Sequence, residues 1–244
     1  MRPSSLFWDL FGHSLGGPHT RYLAAMLLKS GVSRNNITAT TFGSPLCGNA
    51  GFEGMALIGG TNYVNVGDPV VSVPRIIPPL FPYFEFSRRQ INQSMQSGDS
   101  WPGKPSWVTP HWSKLYERGA QVQDQWRIAR INDIYSIDAK ASVQLESATA
   151  KYWGWDGYQH IDTPGLLVLP GKLGVRFAWK IETLPNGDRK IIVCFPGTET
   201  PEELFWQDFD ARMVSTTIGR VHEGFWRGMP ETLAFLQGVV KEMA

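Results

Sequence analysis

The sequence contains little cysteine, no long apolar run and no excess of charge of either sign. Its two cysteines, Cys47 and Cys194, are too few for a disulfide framework, and their apolar neighbours favour buried free thiols. Lys and Arg together number 23 and Asp and Glu number 22, so the formal net charge is +1. This balance excludes the basic surface that a nucleic-acid partner or an anionic bilayer would require.

The absence of a run of about 18 apolar residues predicts that the chain has no transmembrane segment. Residues 1–14 contain too short an apolar stretch before a polar motif to act as a signal peptide. We therefore expect a soluble protein that is cytoplasmic by default, although the mature form of a secreted protein would have the same sequence. The oligomeric state stays open.

The chain does have enough apolar residues for a full core. Its 244 residues are 42% hydrophobic and 12% aromatic, which predicts one compact domain over the whole chain. Residues 6–11 predict a buried strand and residues 18–30 a helix. Two β-rich runs, 37–45 and 62–70, each end in Gly and Pro, as strands do when they lead into loops. Residues from about 70 to 111 are rich in proline and aromatic side chains and predict an irregular, packed loop.

The second half of the chain predicts a helix, a hairpin and a closing helix. Residues 133–152 place apolar side chains along one helical stripe. Residues 174–183 and 190–197 predict two strands joined by Pro185-Asn186-Gly187-Asp188, a run typical of hairpin turns. Pro230 suits the first turn of the closing helix.

The clearest motif is a candidate nucleophile. Residues 12–16, Gly-His-Ser-Leu-Gly, match G-x-S-x-G, in which small residues allow a strained turn between a strand and a helix to expose the serine hydroxyl. The predicted strand precedes this motif and the predicted helix follows it, so the match is stronger than the pentapeptide alone; an ordinary Gly-rich turn is the alternative. We interpret Ser14 as the nucleophile and the N–H of Leu15 as one donor to the oxyanion.

A serine nucleophile needs a histidine to accept its proton and a carboxylate to orient that histidine. Where the nucleophile lies on a strand-to-helix turn of the G-x-S-x-G type, the chain order is serine, acid, histidine, and Asp68 stands at the end of a predicted strand, where the acid belongs. A turn-forming residue before a proline is the alternative. His111 is the predicted base because it follows a long loop, and an exposed loop histidine is the alternative. His160 and His222 are interpreted as structural. No residues have metal-ligand spacing, so we predict no metal and no cofactor.

Three segments resemble successive signatures of the class 3 lipase family, the fungal-type triacylglycerol lipases. They are GHSLGG at 12–17, TFGSPLCGNAGF at 41–52 and NYVNVGDPV at 62–70. The resemblance covers roughly residues 6–111. It implies an α/β-hydrolase fold, with a central, mostly parallel sheet flanked by helices, and activity on carboxylic esters of lipids.

The order of the segments differs from that of the family. Residues 191–200 and 219–229 resemble runs that precede the serine motif in class 3 lipases, yet here they follow it. The resemblance therefore implies a circularly permuted domain. Residues 1–114 correspond to the family's usual C-terminal half, about 115–132 to a joining segment and 133–244 to the usual N-terminal half.

The resemblance also implies a second oxyanion donor and a lid. Thr198 ends a Pro-Gly-Thr run that stands where the family has R-G-[ST], so its N–H, with its hydroxyl assisting, would face the oxyanion. Residues 199–212 correspond to the family's lid, and Leu204, Phe205 and Trp206 would face lipid when it opens. A surface helix whose apolar side chains pack inward is the alternative.

Together these residues predict a serine hydrolase, a triacylglycerol lipase or esterase that acts through an acyl-enzyme. The predicted partner is a lipid ester substrate, presented at a lipid–water interface if the lid exists. Two alternatives stay open. One is a catalytically idle, lipase-like domain that binds a partner or lipid, and the other is an esterase for short-chain or aryl esters.

Overall fold

The computed structural model of this protein describes residues 5–52, 61–73, 88–91, 159–163, 175–195, 197 and 212–242, with backbone alone for 61, 88–91 and 159–163. The strands are β1 (Leu6–His13), β2 (Ile37–Phe42), β3 (Thr61–Asn65), β4 (Arg88–Ile91), β5 (Gln159–Thr163), β6 (Val175–Thr183), β7 (Arg189–Phe195), β8 (Met213–Thr216) and β9 (Gly219–His222). The helices are α1 (Gly16–Lys29), α2 (Glu223–Trp226) and α3 (Met229–Glu242), and 3₁₀ turns span Arg34–Asn36 and Val70–Ser72.

Seven of these strands form one sheet in the order β4-β3-β2-β1-β7-β6-β5, and β8 pairs with β9 in a hairpin. The neighbours among β4, β3, β2, β1 and β7 are parallel, whereas β6 and β5 pair antiparallel. The predicted mostly parallel sheet is therefore confirmed. Because parallel strands end at the same edge, the carboxyl ends of β1, β2, β3, β4 and β7 lie together there, where sites of open α/β sheets form.

One face of the sheet packs against α1 and α3 and contains the main apolar core. Side chains alternate along β1, so Leu10 faces the helices whereas Phe11 packs on the opposite face. Aromatic rings join the sheet to α3, since the ring centroid of Phe235 lies 6.0 Å from those of Phe177 and Trp179. Each fully buried side chain of this size contributes about 2 kcal/mol, so this face holds the helices on the sheet.

The turn between β6 and β7 follows the sequence closely. The N–H of Gly187 donates to the carbonyl of Leu184 at 2.9 Å, and the N–H of Asp188 donates to the side chain of Asn186 at 3.1 Å. Gly187 has a φ of +85°, in the left-handed region that other residues rarely adopt. The predicted hairpin is confirmed.

The start of β1 is bonded to this hairpin. The N–H of Ser5 donates to Oδ1 of Asp188 at 2.8 Å, and the N–H of Arg189 donates to the carbonyl of Ser5 at 3.0 Å. From there β1 and β7 run as parallel neighbours over seven residue pairs. Two strands from opposite ends of the sequence are thus adjacent at the centre of the sheet.

The predicted strands over 6–11 and 37–45 and the closing helix are also confirmed. The predicted loop over about 70–111 is wrong at Arg88–Ile91, which form β4 beside β3. This four-residue strand contains one apolar residue and so shows no alternation. Backbone pairing with β3 determines its conformation, because strand propensity is weak against such context.

Some predictions lie outside the described residues. These are the helix over 133–152 and the joining segment over about 115–132. Within the described part of the chain, none of the helices combines the length and the apolar content needed to cross a bilayer.

Substitution of alanine for glycine should change the free energy of unfolding in opposite directions at Gly187 and Gly238. At Gly187 and at Gly238 of α3 an added Cβ meets no atom within 4 Å, but only Gly187 has a positive φ. We expect Gly187→Ala to lower the free energy of unfolding by about 1 kcal/mol through backbone strain. Gly238→Ala should raise it by up to about 1 kcal/mol through helix propensity. Urea unfolding measures both, and equal effects at the two positions would contradict the assigned backbone.

Candidate active site

A sharp turn connects β1 to α1 and carries Ser14. Its φ is +52°, and it is the only non-glycine residue with a positive φ among those the structure describes. A left-handed L-residue costs about 1–2 kcal/mol. Such strain is kept where the surrounding structure enforces it, which is common at functional sites.

Glycines on both sides of Ser14 permit this turn. A Cβ built on Gly12 would lie 2.1 Å from the carbonyl oxygen of Gly16, and one built on Gly17 would lie 2.3 Å from Cβ of Ser44. Neither contact is possible for a real side chain, and both involve backbone or a short side chain that cannot move aside. The glycines therefore let α1 begin against the end of β1 and against the loop after β2.

Backbone hydrogen bonds fix the turn further. The N–H of Ser14 donates to the carbonyl of Phe42 at 3.0 Å, and the N–H of Gly17 donates to the carbonyl of Ser14 at 2.9 Å. From residue 10 to residue 27 every residue is buried except Ser14, which is partly exposed. The turn thus presents one hydroxyl at the surface of an otherwise closed segment, as a nucleophile requires.

Backbone groups approach Ser14 from two directions. Leu15 is the N-cap of α1, so its N–H lies at the positive end of the helix dipole. From the other side, a Cβ built on Gly197 would lie 3.1 Å from Cβ of Ser14 and 3.2 Å from Nδ1 of His13. The turn after β7 therefore passes directly against Ser14. Thr198, the predicted second oxyanion donor, is the next residue and lies outside the described residues.

Asp68 lies after β3, two strands from β1 at the same sheet edge. The distance across two strand spacings is about 10 Å, a gap of the size that an imidazole bonded to both side chains would span. The carboxylate is buried, and its Oδ1 accepts a hydrogen bond from the N–H of Val70 at 2.8 Å. This contact is the one expected if Asp68 is a turn-forming residue before a proline.

The described histidines lie in places that do not suit a base between Ser14 and Asp68. His222 is fully buried, and its Nδ1 accepts from the N–H of Phe225 at 3.4 Å as the N-cap of α2. His160 belongs to β5, three strands from β1 on the side away from β3. This separation is about 14 Å, which excludes a contact with both groups.

His13 is directed to the side of β1 that is away from Asp68. Its Nδ1 faces the turn after β7, whereas Asp68 follows β3 across β2. His111, the predicted base, lies outside the described residues, as do Leu204, Phe205 and Trp206 of the predicted lid. The structure therefore brings Ser14, Leu15 and Asp68 to one edge and does not place the remaining candidates.

His19 is a buried histidine on α1 that no motif explains. Its ring centroid lies 5.7 Å from that of Phe195, at the end of β7. Burial lowers the pKa of His19 from 6.5 to about 3, and a hydrogen bond with the backbone of Phe225 opposes this shift. The imidazole is therefore neutral at neutral pH, and it contacts the strand that leads to Gly197.

Three polar side chains beneath the site are likewise indicated by no motif. Arg21 of α1, Thr41 of β2 and Asn62 of β3 are all buried. Nη2 of Arg21 donates to Oγ1 of Thr41 at 3.2 Å, and Oγ1 of Thr41 donates to Oδ1 of Asn62 at 3.0 Å. What distinguishes these residues is their polarity among apolar neighbours on the same sheet face. The sequence alone does not reveal it, because the neighbours are known only once the register of the strands is known.

Comparison with known families places this site in context. Residues 5–77 match the family model of the class 3 lipases. The matched segment contains β1, Ser14, α1, β2, β3 and Asp68. No curated protein sequence and no solved structure matches the chain significantly. The resemblance to class 3 lipases is confirmed over this segment, and it indicates hydrolysis of lipid esters in general.

The strain at Ser14 predicts which of two variants at this position is the more stable. Ser14→Gly removes the left-handed strain and Ser14→Ala keeps it, so we expect the glycine variant to be more stable by about 1 kcal/mol. The control is Ser30, the C-cap of α1, whose φ is −78°. There the alanine variant should be the more stable one. Urea unfolding of the four variants gives the result, and the same order at both positions would contradict the strained turn.

The low pKa of His19 predicts acid sensitivity. Because the unfolded state takes up a proton at about pH 6.5 and the folded state only near pH 3, stability falls as the pH decreases between these values. From about pH 6.5 to about pH 4.5 this histidine should remove about 2 kcal/mol of unfolding free energy. His19→Gln has no such proton to gain and should lose less over that range. Parallel pH profiles for the two proteins would show that His19 is not the sensitive group.

Proposed function

We propose, on the premise that residues 5–77 are a class 3 lipase segment, that this protein is a serine hydrolase that cleaves carboxylic esters of lipids. The observation that carries the proposal is the turn at Ser14. A strained, glycine-flanked serine is the one partly exposed residue in a buried segment. A structural serine needs neither the strain nor the exposure.

The proposed reaction proceeds through an acyl-enzyme. His111 accepts the proton of Ser14 as its Oγ attacks the ester carbonyl, and Asp68 orients the imidazole and stabilises its charged form. The N–H groups of Leu15 and Thr198 bind the oxyanion of the tetrahedral intermediate. His111 then protonates the departing alcohol. Water, activated by the same histidine, attacks the acyl-enzyme and releases the acid.

The place of β4 supports His111 as the base. This strand is the parallel neighbour of β3, so its carboxyl end lies at the edge that carries Ser14 and Asp68. His111 follows β4 in the chain, so the order serine, acid, histidine agrees with the chain order of β1, β3 and β4. The positions of the described histidines support the same choice, because none of them suits the task.

The arrangement of β7, α3 and β1 supports a permuted domain over residues 1–244. Parallel neighbours such as β7 and β1 require a crossover connection, which is usually a helix packed on the sheet. The chain runs from β7 to α3, which packs on that face beside α1, whereas β1 lies near the other end of the sequence. A connection from α3 to β1 would complete a β-α-β unit, and the circular rearrangement removes that connection.

The segment after Gly197 suits a lid in its place along the chain. It connects the turn that contacts Ser14 with β8, and it contains Leu204, Phe205 and Trp206. Apolar side chains at this position would bind the acyl part of a lipid ester. We propose this segment as the cover of the site and the source of its preference for lipid.

A set of substitutions tests the triad by hydrolysis of p-nitrophenyl esters of increasing acyl length. Ser14→Ala and His111→Ala should each lower kcat by about a thousandfold or more. Asp68→Asn separates the two roles of Asp68, because asparagine keeps the acceptor for Val70 but not the charge. We expect it to be nearly as damaging as the other two. A preference for long acyl chains would mark a lipase rather than an esterase for short-chain esters.

The matched control is His160→Ala, which removes a histidine from β5, far from the site. It should keep wild-type kcat. Asp68→Asn with wild-type activity would reduce Asp68 to a turn residue. A folded wild type that hydrolyses no ester of the series would overturn the proposed function and favour an idle, lipase-like binding domain.

A further inference from the structure

A polar row crosses the sheet on the face that α1 covers. Gly12 of β1, Thr41 of β2 and Asn62 of β3 are direct partners in neighbouring strands. Further back along β2 the same face carries Ile37 and Ala39, which belong to the apolar core. Along β2, the polar residue of this face therefore lies at the end nearest the site.

Hydrogen bonds make this row a network. Arg21 donates to Oγ1 of Thr41, which in turn donates to Oδ1 of Asn62. The same Oδ1 accepts a second hydrogen bond, from the N–H of Ser44 at 3.3 Å. These four residues are at most 8% exposed. Helix α1 is thus tied to β2, to β3 and to the loop after β2 by polar contacts away from water.

The network ends where the catalytic groups begin. Arg21 lies on the helix that starts directly after the Ser14 turn, and Asn62 lies on the strand that leads to Asp68. Ser44 closes the loop, because its Cβ occupies the space that a side chain at Gly17 would need. Any shift of α1 against β3 must therefore break a buried hydrogen bond.

Buried polar groups are costly unless their geometry is satisfied, and an apolar row would hold the layers together as well. Apolar contacts tolerate small sliding, whereas directed hydrogen bonds set one position. We propose that Arg21, Thr41 and Asn62 are positioning residues that set Ser14 relative to Asp68. This inference rests on the proposed function. Thr41 is the central residue of the network, because its hydroxyl both accepts a hydrogen bond from Arg21 and donates one to Asn62.

Thr41→Val tests this inference, since it removes the hydroxyl and keeps the shape. Because a displacement of about 1 Å can cost 10²-fold in rate, we expect kcat to fall about tenfold or more while KM changes little. Thr41→Ser restores the hydroxyl and should recover most of the activity. Within an Asp68→Asn background, Thr41→Val should add little further loss, because the group that it positions is already absent.

The matched control is Thr232→Val in α3. Thr232 is fully buried, and its Oγ1 donates to the carbonyl of Gly228 at 2.9 Å. This variant loses a buried hydroxyl of the same kind, and we expect it to keep wild-type kcat. If Thr41→Val reduces the yield of folded protein, Arg21→Met takes its place, since it removes the hydrogen-bond donor at the other end of the network. Its loss of kcat is then compared in the wild-type and Asp68→Asn backgrounds.

The outcomes separate this inference from the proposed function. An active wild type beside a Thr41→Val protein with unchanged kcat would overturn the positioning role alone. Equal losses in the wild-type and Asp68→Asn backgrounds would also overturn it, because they would show that Thr41 acts independently of Asp68. A folded, inactive wild type would overturn the proposed function and this inference with it.

Discussion

The left-handed backbone at Ser14 is the constraint on which the rest of the site depends. That conformation brings the serine out of a buried segment, and it persists because Gly12 and Gly17 allow α1 to begin in contact with the sheet. A side chain at either glycine would push the helix away. The tight packing of the two layers therefore leaves one hydroxyl partly exposed at a strained turn, which is the kind of strain that is common at functional sites.

Two kinds of contact hold this turn between the layers. The apolar core of the α1 face supplies most of the stability, since burial is the dominant favourable term in folding. Near the site the same face becomes polar, and hydrogen bonds through Thr41 connect the helix to β2 and β3. On the opposite face, the rings of Phe42 and Tyr63 stack at 5.1 Å and join the same two strands. Strand β3, which leads to Asp68, is thus linked to β2 on both faces of the sheet.

Local signals account for what could be predicted from the sequence. Around Ser14 an apolar run, flanking glycines and helical spacing agree, and at Pro185–Asp188 the turn residues agree with the strands beside them. Strand β4 could not be predicted, because Arg88–Ile91 has no alternation and depends on pairing with β3. The partnership of Arg21 and Thr41 could not be predicted either, since it joins an interior helix position to a strand through the register of the sheet. Residue propensity and the spacing of apolar residues report on segments that are local in the sequence. They do not report on contacts between residues that are far apart in the chain.

The most direct test of the central claim is to identify the residue that a long-chain alkyl fluorophosphonate labels. An activated serine displaces fluoride and keeps the phosphonyl group, and peptide mass spectrometry then locates the adduct. We predict one adduct per folded chain, on Ser14, and none after denaturation, because only the folded turn activates the hydroxyl. An adduct on a different serine, or no adduct on the folded protein, would contradict the assignment of Ser14 as the nucleophile.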